Sequence, residues 1–120
     1  MKKVLTVDDS RTILSMLRHT LTEAGFQLAQ AEDGIFGLEE LEKFEPEVIV
    51  TDINMPRLDG FGFIERVRKL DRHKAIPILV LTTESDAEKK ERARRAGATG
   101  WITKPFDPSK LISAIQRVSA

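Results

Sequence analysis

The sequence predicts an α/β protein, a three-layer sandwich in which a five-stranded parallel sheet carries helices on both faces. Three observations support this. Short apolar runs rich in β-branched residues alternate with longer stretches that are apolar at helical spacing, and the unit recurs through the 120 residues as strand then helix. The run Val48-Ile49-Val50 is apolar at every position, as a strand buried on both faces must be. A helix between successive strands imposes parallel pairing with right-handed crossovers, and five units are too few for a closed eight-unit barrel.

Lys2 to Val7 reads as the first strand, apolar at Val4, Leu5 and Val7 and ending on Asp8-Asp9. From Arg11 to Ala24 the residues Ile13, Leu14, Leu17, Leu21 and Ala24 form one stripe, and Gly25 supplies the stop. Phe26 to Ala31 is a weaker, alternating run, the pattern of a half-exposed edge strand. Asp33-Gly34 opens a second helix with Ile35, Leu38 and Leu41 inward, and it must finish before Pro46. The third strand turns polar at Asp52, with Pro56 and Asp59-Gly60 marking the loop behind it. Phe63, Ile64, Val67 and Leu70 then mark the third helix, for which Asp59 is the natural cap.

Ala75 to Leu81 is the fourth strand, with Pro77 near its start, where a missing N–H does least harm. Ser85-Asp86-Ala87-Glu88 reads as a capping box for a fourth helix that stops at Gly97. The only apolar residues from Asp86 to Ala96 are Ala87, Ala93 and Ala96, so this helix has high propensity but little to bury and is expected to be loosely tethered. Thr99 to Thr103, with Trp101, is the fifth strand, closed by Lys104-Pro105. Asp107-Pro108 pairs an N-cap with a first-turn proline, and Leu111, Ile112, Ile115 and Val118 face the last helix inward.

The length suits one domain over residues 1–120. Lysine plus arginine and aspartate plus glutamate balance at 19 each, so no net field draws the chain to nucleic acid or to an anionic membrane. No cysteine is present, which removes disulfides and thiolate chemistry. Acids at Asp8 and Asp9 interrupt the start too early for a signal-peptide core, and no apolar run approaches the ~18 residues of a membrane span, so a cytoplasmic protein is expected.

The chemistry-bearing residues fall at strand ends: Asp8 and Asp9 after the first, Asp52 after the third, Thr82 after the fourth and Lys104 after the fifth. In an open parallel sheet that edge is where ligands bind. Singly each has a plain structural reading, as cap, strand residue or solvated end; Asp59 fills the capping role behind the third strand, which leaves Asp52 without one. In a sheet of order 2-1-3-4-5 the first and third strands would be neighbours, and three carboxylates would meet. Two of them ~5 Å apart at an effective dielectric of about 20 repel by roughly 3 kcal/mol, so the cluster must take up protons or a cation. Mg²⁺ prefers such oxygen donors, and Asn54 can lend a carbonyl. A carboxylate oxygen of Asp52 would then be free to attack phosphorus, with Lys104 and the Thr82 hydroxyl on the phosphoryl oxygens.

Val7-Asp8-Asp9, Asp52-Ile53-Asn54-Met55-Pro56 with Asp59-Gly60, Leu81-Thr82, Gly97-Ala98 and Lys104-Pro105-Phe106 together resemble the response-regulator receiver domains of two-component signalling, over the whole length and in the stand-alone chemotaxis (CheY-like) type. The resemblance implies a flavodoxin-like (βα)5 fold with strand order 2-1-3-4-5. It implies Asp52 as phospho-acceptor, Mg²⁺ held by Asp9, Asp52 and the Asn54 backbone carbonyl with Asp8 acting through water, and Thr82 and Lys104 on the phosphoryl group. It also implies a cis Lys104-Pro105 bond, a switch through Thr82 and an aromatic at position 101, and tuning of hydrolysis by Asn54 and Glu84. Such a domain is not an enzyme beyond its own phosphoryl transfer and dephosphorylation. Its partners would be a histidine kinase as donor and a downstream target such as a flagellar motor switch component, with the protein itself a monomer. Trp101 stands where the family usually has Tyr or Phe, and Thr83 where it usually has Ala or Ser. His19 and His73 resemble neither metal ligands nor catalytic bases. Three other readings stay open: a phosphorelay intermediate or phosphate sink; a haloacid-dehalogenase-like phosphatase, which usually has Asp where Asn54 stands; and flavodoxin-like cofactor binding, which the acidic first loop opposes.

Overall fold

In a computed structural model, residues 2–120 are described. Five strands and five helices alternate: β1 Lys3–Val7, α1 Arg11–Glu23, β2 Gln27–Ala31, α2 Gly34–Phe44, β3 Val48–Thr51, α3 Gly60–Lys69, β4 Ile78–Thr82, α4 Ala87–Ala96, β5 Gly100–Thr103 and α5 Pro108–Val118. All pairings are parallel in the order β2-β1-β3-β4-β5, with Val7 opposite Ala31 on one side and Thr51 on the other. This is the expected flavodoxin-like arrangement. Strand pleating sorts the core into two layers. Leu5, Val7, Ile49, Ile78 and Val80 face α2, α3 and α4 with Leu41, Phe63, Ile64, Val67 and Ala93. Val4, Val48, Val50, Leu79 and Leu81 face α1 and α5 with Leu17, Leu21, Leu111 and Ile115. No helix among the described residues is long and apolar enough to cross a membrane.

Side-chain carboxylates cap four helices: Asp33 accepts from Phe36 N at 2.9 Å, Asp59 from Gly62 N at 2.8 Å, Asp86 from Glu88 N at 2.7 Å and Asp107 from Ser109 N at 2.9 Å. The cap of α4 is thus Asp86, not Ser85 of a capping box, because the Asp86 carboxylate takes the Glu88 N–H itself. Strand β4 begins at Ile78, after Pro77, and keeps Thr82 as its last residue. The N–H that proline lacks would have belonged to the ladder.

Helix α2 turns Leu41 and, partly buried, Leu38 to the core as expected, but Ile35 is only half-buried and Gly34 and Gly37 are buried beside Leu41. A Cβ on Gly37 would lie 2.9 Å from Phe63 Cε1 and 3.2 Å from Val7 Cγ2, so bare backbone is what lets α2 sit so close. Ala24 follows α1 and is exposed rather than part of its stripe. The fourth helix buries only Ala93, as expected, yet it is not loose along its whole length. Arg68 of α3 donates Nε and Nη2 to Gly97 O at 3.0 and 2.6 Å, and Nη1 to Lys74 O and Ile76 O at 3.1 and 2.6 Å. The Arg92 guanidinium lies 4.0 Å from the centre of the Phe61 ring. Cationic side chains fasten what apolar burial does not.

Candidate functional site

Because the strands are parallel, their carboxyl ends share one edge. Asp52 N donates to Val7 O at 2.9 Å and Asp8 N to Ala31 O at 3.0 Å, which continues the ladder one residue beyond the strands and brings Asp8 beside Asp52. Asp9 follows on the surface. One carboxylate oxygen from each of Asp8, Asp9 and Asp52 lies within 4.8 Å of the other two, with Asp8 and Asp52 buried and Asp9 exposed. Asp8 Oδ1 accepts from Ser10 N at 2.9 Å and Asp52 Oδ1 from Ile53 N at 2.6 Å, so local backbone aims both groups.

Lys104 closes the cluster. Its N–H donates to Thr82 O at 2.7 Å, the following bond to Pro105 is cis, and its Nζ donates to Asp8 Oδ2 and Asp52 Oδ2, each at 2.8 Å. The three side chains are only 10, 2 and 9 % exposed. Burial pushes the Asp8 carboxyl above the usual carboxylate range, against the pull of Lys104 and the Ser10 N–H. For Lys104 burial works downward, but the bonds to Asp52 and Asp8 outweigh it and raise the ammonium above its ordinary value, so it stays charged. One ammonium cannot neutralise three carboxylates. Hard oxygen donors, gathered and open to solvent on the Asp9 side, fit a small divalent cation such as Mg²⁺ and offer nothing to a thiophilic metal.

Around this centre, Thr82 is fully buried and its Oγ1 accepts from Glu84 N at 3.3 Å. Asn54 is exposed and donates Nδ2 to Glu84 Oε1 at 3.2 Å. Trp101, half-buried and opposite Val80, donates its indole N–H to Glu84 O at 3.2 Å. A family model for the response regulator receiver domain matches residues 4–116. The chain belongs to that family. Chemotaxis protein CheY1 of Helicobacter pylori is 36 % identical over 118 residues, covering 97 % of this chain and 95 % of that protein. The solved structure of chemotaxis protein CheY4 of Vibrio cholerae matches with a TM-score of 0.94 at 47 % identity, covering 98 % of each chain. The receiver domain of the sensor histidine kinase PA1611 of Pseudomonas aeruginosa, which was solved with a magnesium ion coordinated in its active site cleft, shares the fold at 24 % identity. Its TM-score is 0.91, with 98 % of this chain and 97 % of that one covered. The chain is therefore a CheY-like receiver, a signalling module of two-component systems.

In this receiver the structure gathers Asp8, Asp9, Asp52 and Lys104 into one cluster, with Thr82, Asn54 and Glu84 on the same edge. His73, between Arg72 and Lys74 in the connection from α3 to β4, is not exposed like its neighbours. It is buried, its Nε2 has no hydrogen-bond partner among the described residues, and Glu42 Oε1 is 3.6 Å away. Sequence reasoning also missed Arg57. Its guanidinium donates to both carboxylate oxygens of the buried Asp33 at 2.8 and 3.1 Å and stacks 4.4 Å from the Phe36 ring, bolting the loop behind Asp52 to the start of α2. The available signal was an arginine five residues after Asp52 and a capping aspartate with no second task.

Proposed function

We propose that Asp52 accepts a phosphoryl group from the phosphohistidine of a histidine kinase and that the modified domain controls a partner protein through its α4-β5-α5 surface. The observation that carries this reading is the buried Asp52 carboxylate, one oxygen of which is held by the Ile53 N–H and the other by the Lys104 ammonium beside two more acids. In the transfer an Asp52 oxygen forms a bond to phosphorus as the P–N bond to the donor imidazole breaks, and the imidazole leaves with the electron pair of that bond. Asp9, Asp52 and the Asn54 backbone carbonyl would hold Mg²⁺, with Asp8 acting through water. When bound, the ion supplies charge neutralisation for the phosphoryl oxygens.

Lys104 is already charged and in contact with Asp52, so it can pass to the incoming oxygens without leaving the pocket. The Thr82 hydroxyl, the last side chain of β4, supplies a hydrogen bond to the same group. Because Glu84 is bonded to both Thr82 and Trp101, movement of Thr82 toward a phosphoryl oxygen would be felt at Trp101 and at the start of α4. Asn54 and Glu84 set how readily water reaches the acyl phosphate. The expected target is a protein such as a flagellar motor switch component, and the expected compartment is the cytoplasm. Incubation with acetyl phosphate should add the mass of one phosphoryl group only when MgCl₂ is present, and Asp52→Asn should abolish it. A gain that persists without Asp52, or steady release of phosphate from simple esters with no trapped species, would overturn the reading.

A further inference from the structure

A chain of side-chain bonds runs from the site to α4 that phosphoryl transfer itself does not use. Asn54, on the loop behind Asp52, and Lys89, in the first turn of α4, both donate to the same oxygen, Glu84 Oε1, at 3.2 and 3.0 Å. The backbone of Glu84 is pinned separately, its N–H on Thr82 Oγ1 and its carbonyl under the Trp101 indole. Main chain at residue 84 is therefore fixed. Its side chain is not, because three rotatable bonds let the carboxylate swing to solvent unless something holds it. Asn54 offers one neutral amide hydrogen bond. Lys89 offers a charge, and the Glu84 carboxyl lies below its ordinary range because of the Lys89 bond first and the Asn54 bond second. The Asn54–Glu84 bond joins the loops behind β3 and β4, adjacent strands whose ends flank Asp52, so it forms a rim on the site.

We propose that Lys89 is a positioning residue that, acting through Glu84, keeps the Asn54 side chain on this rim and so slows hydrolysis of phosphorylated Asp52. The proposal rests on Asp52 as phosphoryl acceptor. In the step it governs, a water oxygen bonds to phosphorus, the P–O bond to Asp52 breaks, the carboxylate is regenerated, and inorganic phosphate leaves with the water's protons shared with solvent. Lys89 touches none of these atoms. It ties their access to water to the place of the first turn of α4, so that whatever shifts that turn changes the lifetime of the signal.

The test uses the full chain, phosphorylated with acetyl phosphate and MgCl₂ and freed of donor, with decay of the modified form followed by intact mass. Lys89→Met should decay roughly two- to fivefold faster than wild type, the range to which an exposed ion pair converts. Lys89→Arg, which keeps the charge, should decay at close to the wild-type rate, and the thermal midpoint of Lys89→Met should match wild type. Raising NaCl to about 1 M should speed the wild type toward the Lys89→Met rate and leave Lys89→Met unchanged. Equal or slower decay of Lys89→Met, failure of Lys89→Arg to restore the rate, or a salt response shared by both proteins overturns the proposal. Loss of the parent reading shows up differently, as a wild type that never acquires the phosphoryl group, and takes this proposal with it.

Discussion

Replacing Lys104 with Met keeps most of the stem and deletes the ammonium that bridges Asp8 and Asp52. Both carboxylates are more than nine-tenths buried, and oxygens of the pair lie no more than 4.8 Å apart. At an effective dielectric of about 20 that separation corresponds to roughly 3.5 kcal/mol of repulsion, and removal of one partner from a buried ion pair costs about 3–5 kcal/mol. Lys104→Met should therefore lose about 4 kcal/mol at neutral pH without divalent ions, which for an m-value near 1.5 kcal/mol/M lowers the urea midpoint by roughly 2.5 M. Two internal checks follow. Asp52→Asn added to Lys104→Met should recover part of the loss, since one of the crowded charges is gone. Acidification should recover part as well: a carboxyl whose folded pKa is raised, as for Asp8, takes its proton in the folded state first, so stability grows as pH falls from neutrality toward the ordinary carboxylate value of 3.8. A loss below about 1 kcal/mol, or one that does not shrink on acidification, would refute the claim that these carboxylates are mutually strained.

Gly37→Ala should destabilise by about 1–3 kcal/mol in urea unfolding, because the new methyl meets the Phe63 ring and Val7. Arg57→Ala should flatten the acid limb of stability: Asp33 is held below its ordinary value by the Arg57 bond, so its contribution is present above pH 3.8 and disappears as pH falls further, and without Arg57 the unfolding midpoint should depend less on pH in that window. Arg57→Gly should be milder than Arg57→Ala at any pH, since residue 57 sits at φ 65°. Arg68→Met leaves the carbonyls of Gly97, Lys74 and Ile76 without their guanidinium donor; amide exchange at the C-terminal turn of α4 should accelerate well beyond that of α1, and uniform exchange would argue against a local clamp.

Much of this could be read from the residues alone. The strand-helix alternation, the aspartates at 33, 59 and 107 as caps, the edge character of β2 and the strand-end acids all follow from short-range rules that tertiary structure left intact. What escaped were features decided between elements. Gly34 and Gly37 look like poor helix residues until Leu58, against the first, and Phe63, against the second, are seen to need their missing side chains. His73 is flanked by Arg72 and Lys74, and only the packing of the α3–β4 connection buries it. The tether of α4 went unseen because it is made by Arg68 and Arg92, residues that composition assigns to solvent, through their long stems and delocalised charge. Lys104 is expected from the sequence on the phosphoryl oxygens, and it is the fold that sets its ammonium between two acids at equal distance.

Borohydride converts an acyl phosphate to an alcohol, turning a phosphorylated aspartate into homoserine. Treatment of the chain with acetyl phosphate and MgCl₂, reduction, and peptide mass spectrometry should find homoserine at position 52, and none when magnesium is chelated beforehand. Homoserine at Asp8 or Asp9 instead, or at no position while phosphate donor is consumed, would contradict the account.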